Sequence, residues 1–130
     1  SDPFDTVEYI LAREEGNFDI SVLDFHAEAT SEKYAMARVF GGKINIIFGT
    51  HTHVPTADEQ ILPAGTAYVT DLGMTGPRNG ILGTDTDRVL RKTRAHMPSQ
   101  FIVADGEIRS DAVLFTLDGE KVTGVERITF

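Results

Sequence analysis

The sequence predicts a mixed α/β fold in which a parallel β-α-β unit is followed by an antiparallel meander. Two runs of β-branched and aromatic residues, 20–25 and 44–48, flank a stretch of helical composition at 31–40. Short connections in that order favour parallel neighbouring strands. Later in the chain, Asp105-Gly106 and Asp118-Gly119 separate alternating apolar segments, as the turns of β-hairpins do.

A helix is predicted over 3–14, at the start of the chain. Asp2 can cap it, Pro3 suits its first position and Gly16 can end it. Because the first residue lies at the mouth of a helix, we expect that a further part of the protein precedes this sequence.

The second half of the chain is predicted to alternate loops with short elements. The stretch 54–64 contains two prolines and is expected to be irregular. After it we predict a strand at 67–70, a long glycine-rich loop at 71–83, and a helix at 85–97 that Thr84 or Asp85 caps. Three antiparallel strands are predicted at 101–104, 108–117 and 122–130.

Composition narrows the class of protein. The chain has 130 residues, enough for one core, and 12 basic against 20 acidic residues give a net charge of −8. Duplex nucleic acid is therefore not an expected partner, since such binding requires a basic surface. The sequence has no cysteine, which excludes a thiolate metal site, and no apolar run long enough to span a membrane. We expect a protein of the cytoplasm.

Three histidines follow predicted strands. His51 and His53, separated by one residue, follow the strand at 44–48, and His26 directly follows the strand at 20–25. In an extended segment the side chains at i and i+2 point the same way, and parallel strands end at the same edge of a sheet. The sequence therefore predicts that three imidazoles, which are common ligands for transition metals, meet at one edge.

Each of these residues also has an interpretation that involves no metal. The histidine pair could be solvated or hydrogen-bonded in a loop. Asp24 and Glu28 flank His26 and could orient its ring by accepting the second ring proton, or they could be a structural acceptor and a charge near a helix N-terminus. His96, near a predicted helix end, is expected to act as a C-terminal cation.

The glycine-rich loop is a candidate for the substrate rim. It follows a strand of the same predicted sheet, and it contains Gly73, Thr75 and Arg78. Backbone N–H groups of flexible loops can approach a phosphate. The alternative is an ordinary loop, because the sequence matches neither a P-loop nor a dinucleotide fingerprint.

Three segments resemble a known family. DFHAEATSEK at 24–33, GTHTHVPTADE at 49–59 and TDLGMTGP at 70–77 resemble, in order and spacing, the YmdB-like phosphodiesterases, a bacterial branch of the calcineurin-like metallophosphoesterases. The resemblance implies an α/β sandwich that binds two metal ions, iron or manganese, and hydrolyses phosphodiesters, with cyclic nucleotides as the substrate class. It also implies that His51 and His53 bind different metals and that His26 is a further metal ligand.

The earlier motifs of that family have no match in this sequence. They supply an aspartate, a bridging carboxylate, and the histidine expected to protonate the leaving group. Residues 1–130 are therefore expected to form a single partial domain, the C-terminal portion of a metallophosphoesterase domain, with no matched catalytic residue.

Three consequences are expected of such a portion. Three neutral histidines do not compensate the charge of two adjacent cations, so we expect weak metal binding and no hydrolysis by this chain alone. A sheet edge without its neighbouring strand is expected to cause self-association. The alternative to the enzyme is a non-catalytic metal-binding or interaction fragment.

Overall fold

A mainly parallel sheet, with one antiparallel strand, lies between a helical layer and a small antiparallel sheet in the computed structural model, which describes residues 2–130. The elements in chain order are α1 Pro3–Arg13, β1 Val22–His26, α2 Thr30–Phe40, β2 Ile46–Thr50, β3 Gln60–Ile61, β4 Ala67–Val69, β5 Thr75–Pro77, α3 Thr86–Ala95, β6 Ile108–Asp118 and β7 Lys121–Thr129. The predicted fold class is confirmed.

The first sheet has the strand order β1-β2-β4-β3. β1 and β2 run parallel in the register Val22↔Ile46 to His26↔Thr50, and β2 runs parallel to β4. The helix α2 connects β1 to β2, so the carboxyl ends of both strands lie at the same end of the sheet. His26 is consequently placed directly beside Thr50, the residue before the histidine pair.

The core consists of two layers on opposite faces of this sheet. On one face, α2 contributes Met36 and Phe40, which pack with Ile47 of β2 and Tyr68 of β4. On the other face, residues of β2 and β4 pack against the β6–β7 hairpin around Ile46, Ala67, Val122, Phe48, Phe115 and Leu117. The alternation of Ile46 and Ile47 between the faces explains the continuous apolar run of β2, because both faces are covered.

The second sheet has the order β5-β6-β7 and is antiparallel throughout. Gly119 begins the two-residue turn between β6 and β7 with φ 58, which agrees with the hairpin predicted at Asp118-Gly119. The strand predicted at 101–104 is wrong. Val103 makes only an isolated bridge to Thr84, and β5 takes the place of the third strand.

Two further differences from the prediction concern Gly49 and the region 54–64. The strand predicted over 44–48, before Gly49, is β2, which begins at Ile46, passes through Gly49 and ends at Thr50. A Cβ at Gly49 would lie 2.0 Å from Thr70 O and 2.7 Å from Lys33 Cδ. This glycine therefore permits close packing inside the strand rather than ending it. The region 54–64, predicted to be irregular, contains the short strand β3.

The helix termini follow their capping residues. The Asp2 side chain accepts a hydrogen bond from Phe4 N at 2.7 Å, and Asp85 accepts one from Arg88 N at 3.1 Å. α3 ends at Ala95 and not near Met97, because His96 adopts the left-handed conformation with φ 52.

One edge of the parallel sheet is open. β1 pairs with β2 on one side, and no described residue pairs with its other side. Phe18, Ile20 and Val22 are exposed along or before this edge, and a groove of about 320 Å³ runs between it and α1. Among the helices of residues 2–130, none has the length and apolar character that a membrane crossing requires.

Candidate metal centre

The three predicted histidines line one cleft. His26, His51 and His53 contribute to a cavity of about 530 Å³ at the carboxyl ends of β1 and β2. Residues of the glycine-rich loop and of an apolar segment after α3 complete its wall, including Gly73, Thr75, Phe101, Ile102 and Val103. We call this cavity the histidine cleft.

His26 and His51 are in direct contact. His26 Nε2 lies 3.2 Å from His51 Nδ1, and the two rings meet edge to face with centroids 5.1 Å apart. On its other side, His26 Nδ1 lies 2.9 Å from Thr50 Oγ1, which in turn lies 3.1 Å from Asp24 Oδ1. Asp24 therefore reaches the imidazole through the Thr50 hydroxyl and not directly.

This chain of contacts fixes the tautomer of His26. A carboxylate only accepts hydrogen bonds, so the Thr50 hydroxyl donates to Asp24 and accepts from His26 Nδ1–H. In the neutral imidazole, the lone pair of His26 then lies on Nε2, which faces His51. A neutral imidazole with its second nitrogen held by a hydrogen bond is the form in which histidine binds metals.

The separation of the two ring nitrogens matches the spacing of ligands around one metal ion. A metal–nitrogen distance of about 2.1 Å and a ligand angle of about 90–109° place two ligand nitrogens about 3.0–3.4 Å apart. The 3.2 Å between His26 and His51 fits that range. However, residues 2–130 include no group of three or more His, Cys, Asp or Glu side chains arranged to hold an ion. The described residues thus fit part of a metal centre.

The segment that bears His51 and His53 is not extended. His51 has φ 109 and His53 has φ 64, whereas extended backbone has negative φ. The two rings share the cleft because the chain turns after β2, and not through the alternation of a strand, which corrects the prediction. His53 Nδ1 lies 3.2 Å from Leu82 O. Left-handed backbone at residues other than glycine costs about 1–3 kcal/mol per residue, so surrounding contacts have to hold it.

A buried ion pair supplies those contacts. Lys33 of α2 and Asp71 after β4 are 1% and 0% exposed, with Lys33 Nζ 3.1 Å from Asp71 Oδ2. Lys33 also donates to Thr50 O at 2.6 Å, and Asp71 accepts from Thr52 N at 2.9 Å. The pair therefore holds the backbone on both sides of His51.

Asp71 also holds the glycine-rich loop. Gly73 N donates to Asp71 Oδ1 at 2.9 Å, so one carboxylate binds both the histidine segment and the glycine-rich loop, and both line the cleft. Burial acts to raise the pKa of Asp71, but the hydrogen bonds from Thr52, Gly73 and Lys33 outweigh it and hold that pKa below its usual range. The carboxylate therefore stays charged.

The other predicted site residues lie at different distances from the histidines. Gly73 and Thr75 line the histidine cleft, whereas Arg78 lines a smaller neighbouring cavity that also includes His53. Glu28 is exposed and has no hydrogen bond to a described histidine. His96 is the C-cap residue of α3 and does not line the histidine cleft, and its role there as a cation stays a prediction.

Lys33 and Asp71 were not predicted as functional residues. Each lies inside a segment that carries the family resemblance, 24–33 or 70–77, which was the available indication. Their pairing could not be read from the sequence, because it joins residues 38 positions apart. The apolar wall at 101–103 was also missed, since that segment was predicted to be a strand.

The fold and the histidine cleft define the class of protein as an α/β sandwich of the metallophosphoesterase type. The chain belongs to the YmdB-like family, since residues 1–128 match the family described as YmdB-like protein. It is 43% identical over 129 residues to a 2′,3′-cyclic-nucleotide 2′-phosphodiesterase of Bacillus subtilis, and the match covers 98% of this chain and 49% of that protein.

Solved structures of similar sequence share the fold. A novel phosphatase from Mycoplasma pneumoniae superposes with a TM-score of 0.94 at 37% identity, over 100% of this chain and 47% of that one. A hypothetical protein from Thermus thermophilus superposes with a TM-score of 0.93 at 37% identity, over 100% of this chain and 51% of that one. The chain thus spans about half the length of these relatives.

Proposed function

We propose that the protein containing this chain is a metal-dependent phosphodiesterase whose substrates are cyclic nucleotides. The observation that carries the proposal is the 3.2 Å contact between His26 Nε2 and His51 Nδ1 on the wall of an open cleft. The substrate class is supported by the relative from Bacillus subtilis, whose name states activity on 2′,3′-cyclic nucleotides.

Within this proposal, His26, His51 and His53 bind two divalent ions, iron or manganese. His26 and His51 hold one ion between them, and His53 binds the second. The chemistry that such a pair of ions supplies is the activation of water for in-line attack on phosphorus and the neutralisation of the phosphate oxygens. The remaining ligands and the general acid belong, in this proposal, to a part of the protein outside residues 1–130, which form the C-terminal portion of the domain.

The residues of this chain position the groups that react. Asp24 and Thr50 hold the His26 ring with its Nε2 directed at His51. Lys33 and Asp71 hold the backbone of Thr50 and Thr52, on either side of His51. Gly73 and Thr75, on the opposite wall, form the rim where the substrate enters.

The test compares two proteins, one of the full length of the relatives and one limited to residues 1–130. Both are assayed with a 2′,3′-cyclic nucleotide and with added manganese or iron. We expect turnover by the full-length protein, loss of at least about 100-fold in the His26→Ala and His51→Ala variants, and none by residues 1–130. His96→Ala is the matched control. Full activity of the His26→Ala variant would contradict the proposal.

A second candidate function is a non-catalytic metal-binding or interaction fragment. It is favoured by the finding that the described residues contain no group of three potential ligands. Isothermal titration of residues 1–130 with manganese and with zinc distinguishes the candidates. Two tightly bound ions per chain would indicate a complete site, and one weak ion or none would indicate a portion of a larger one.

We also propose that residues 1–130 self-associate when isolated. The open edge of β1 presents unpaired backbone groups beside Phe18, Ile20 and Val22, and such edges pair with other chains. Light scattering of the isolated chain and of the full-length protein tests this. Association of the isolated chain alone would indicate that the rest of the protein covers the edge.

The cytoplasm is the compartment we propose, and cell fractionation tests it.

A further inference from the structure

We propose that Arg78 and Arg109 form a second phosphate-binding subsite beside His53, so that the preferred substrate carries a further phosphate group besides the one hydrolysed. This inference rests on the proposed function, because it concerns the same substrate. It predicts that nucleotides with a 5′-phosphate or a 5′-linked nucleotide bind more tightly than a cyclic nucleoside phosphate with one phosphorus.

The register of β5 and β6 places the two arginines on one face. Gly76 pairs with Arg109, and Arg78 follows Gly76 by two residues, so all three positions point to the same side of the sheet. Arg78 N donates to Glu107 O at 2.8 Å, which continues the ladder beyond β5. A cavity of about 210 Å³ is lined by both arginines and by His53.

This cavity adjoins the histidine cleft. His53, Met74, Leu82 and Gly83 line both of them. A Cβ on Gly76 would lie 2.7 Å from Met74 Cε, so the methionine side chain occupies the space over the glycine, and Met74 lines both cavities. Because His53 lines both cavities, a ligand held at His53 would lie beside the cavity of the arginines.

Both arginines keep guanidinium N–H donors that their carboxylate neighbours do not occupy. The guanidinium of Arg109 donates through Nη2 to Asp111 at 2.9 Å, and Asp111 is 2% exposed, so the ion pair fixes the orientation of the arginine. A guanidinium has five N–H donors, and one such bond leaves the others for a ligand. Arg78 is 62% exposed and its nearest contact with Glu107 is 3.9 Å, a distance at which an exposed pair contributes little.

Two arginines around a concave surface match the chemistry of a phosphate group. Guanidinium groups bind phosphate oxygens in pairs of parallel hydrogen bonds, and arginine is the usual residue for such contacts. Two sources could supply this phosphate. One is a 5′-phosphate on the cyclic nucleotide itself, and the other is the phosphodiester that links it to a preceding nucleotide.

The experiment measures KM for three substrates with the full-length protein. These are adenosine 2′,3′-cyclic phosphate, the same nucleotide with a 5′-phosphate, and a dinucleotide that ends in a 2′,3′-cyclic phosphate. In Arg78→Gln we expect KM to rise about tenfold for one or both phosphate-bearing substrates and to change less than about twofold for the first. The substrate that responds identifies the source of the second phosphate.

A matched control separates binding from stability. Arg127 forms an ion pair with Glu59 at 2.8 Å and is 41% exposed, so Arg127→Gln removes a comparable charge away from both cavities. It should leave all three KM values unchanged. Equal KM changes for all three substrates in Arg78→Gln, or none for any of them, would overturn the proposal.

A binding measurement keeps the proposal testable if no substrate turns over, an outcome that would contradict the proposed function instead. Inorganic phosphate is titrated into the metal-free protein while the Nε–H resonances of the arginines are followed by NMR. Shifts of Arg78 and Arg109, with Arg127 unmoved, would support the subsite. Absence of shifts at millimolar phosphate would overturn it.

Discussion

Replacement of Lys33 by methionine tests the ion pair that supports the histidine segment. Methionine keeps the length of the buried stem but removes the cation that contacts Asp71 Oδ2 at 3.1 Å and Thr50 O at 2.6 Å. The carboxylate of Asp71, which is 0% exposed, would keep its amide donors but lose its counter-charge.

The expected loss in the free energy of unfolding is about 3–5 kcal/mol, because removal of one partner leaves an uncompensated buried charge. The double variant Lys33→Met/Asp71→Asn should recover part of that loss, since it leaves two neutral groups. A double-mutant cycle should then give a coupling of about 1–3 kcal/mol between the two residues.

Urea denaturation of residues 1–130 provides the measurement, with Arg127→Met as the control. That control breaks the ion pair with Glu59. The side chains of Arg127 and Glu59 are 41% and 22% exposed, so their pair contributes about 1 kcal/mol or less to stability. If Lys33→Met lost no more stability than Arg127→Met, the reasoning about the buried pair would be refuted.

Three further predictions concern packing, pH and metal binding. Gly49→Ala should destabilise the fold by about 1–3 kcal/mol in urea denaturation, because its Cβ would lie 2.0 Å from Thr70 O; wild-type stability would contradict this. Burial raises the pKa of Tyr68 to about 12 from 10.0, so its contribution is present below pH 10 and is lost as the pH rises towards 12. Between about pH 9 and pH 11, the free energy of unfolding should fall less steeply with pH for Tyr68→Phe than for the wild type. Equal slopes would count against the raised pKa of Tyr68 as the cause. Isothermal titration should find fewer than two tightly bound ions per isolated chain, and two tight ions would show that the site is complete.

The fold class could be predicted because local patterns coincide with tertiary burial. β2 is apolar at consecutive positions since Ile46 faces the hairpin and Ile47 faces α2. The turn at Gly119 has its own local requirement for positive φ. Such elements are determined within a few residues of themselves.

The third strand of the second sheet could not be predicted in the same way. The segment 101–104 has strand composition, but β5, only three residues long and ending in a proline, pairs with β6 instead. The glycine-rich loop approaches β6 at Asp111, whose N donates to Met74 O at 3.0 Å and whose Oδ2 lies 3.4 Å from Met74 N. Contacts between residues 37 positions apart leave no local pattern.

The candidate site was predicted in part. The parallel arrangement of β1 and β2 brings His26 beside Thr50, and this followed from the order of the elements. The positive φ of His51 and His53 did not follow, because histidine favours negative φ unless other contacts hold it. Those contacts come from Lys33 and Asp71, which are distant in sequence.

The most direct test of the account is the position of the metal in crystals of the full-length protein grown with manganese. Anomalous diffraction locates manganese without assuming its ligands. We expect one peak within about 2.3 Å of both His26 Nε2 and His51 Nδ1 and a second peak at His53. Peaks that contact neither His26 nor His51, with the two rings still 3.2 Å apart, would contradict it.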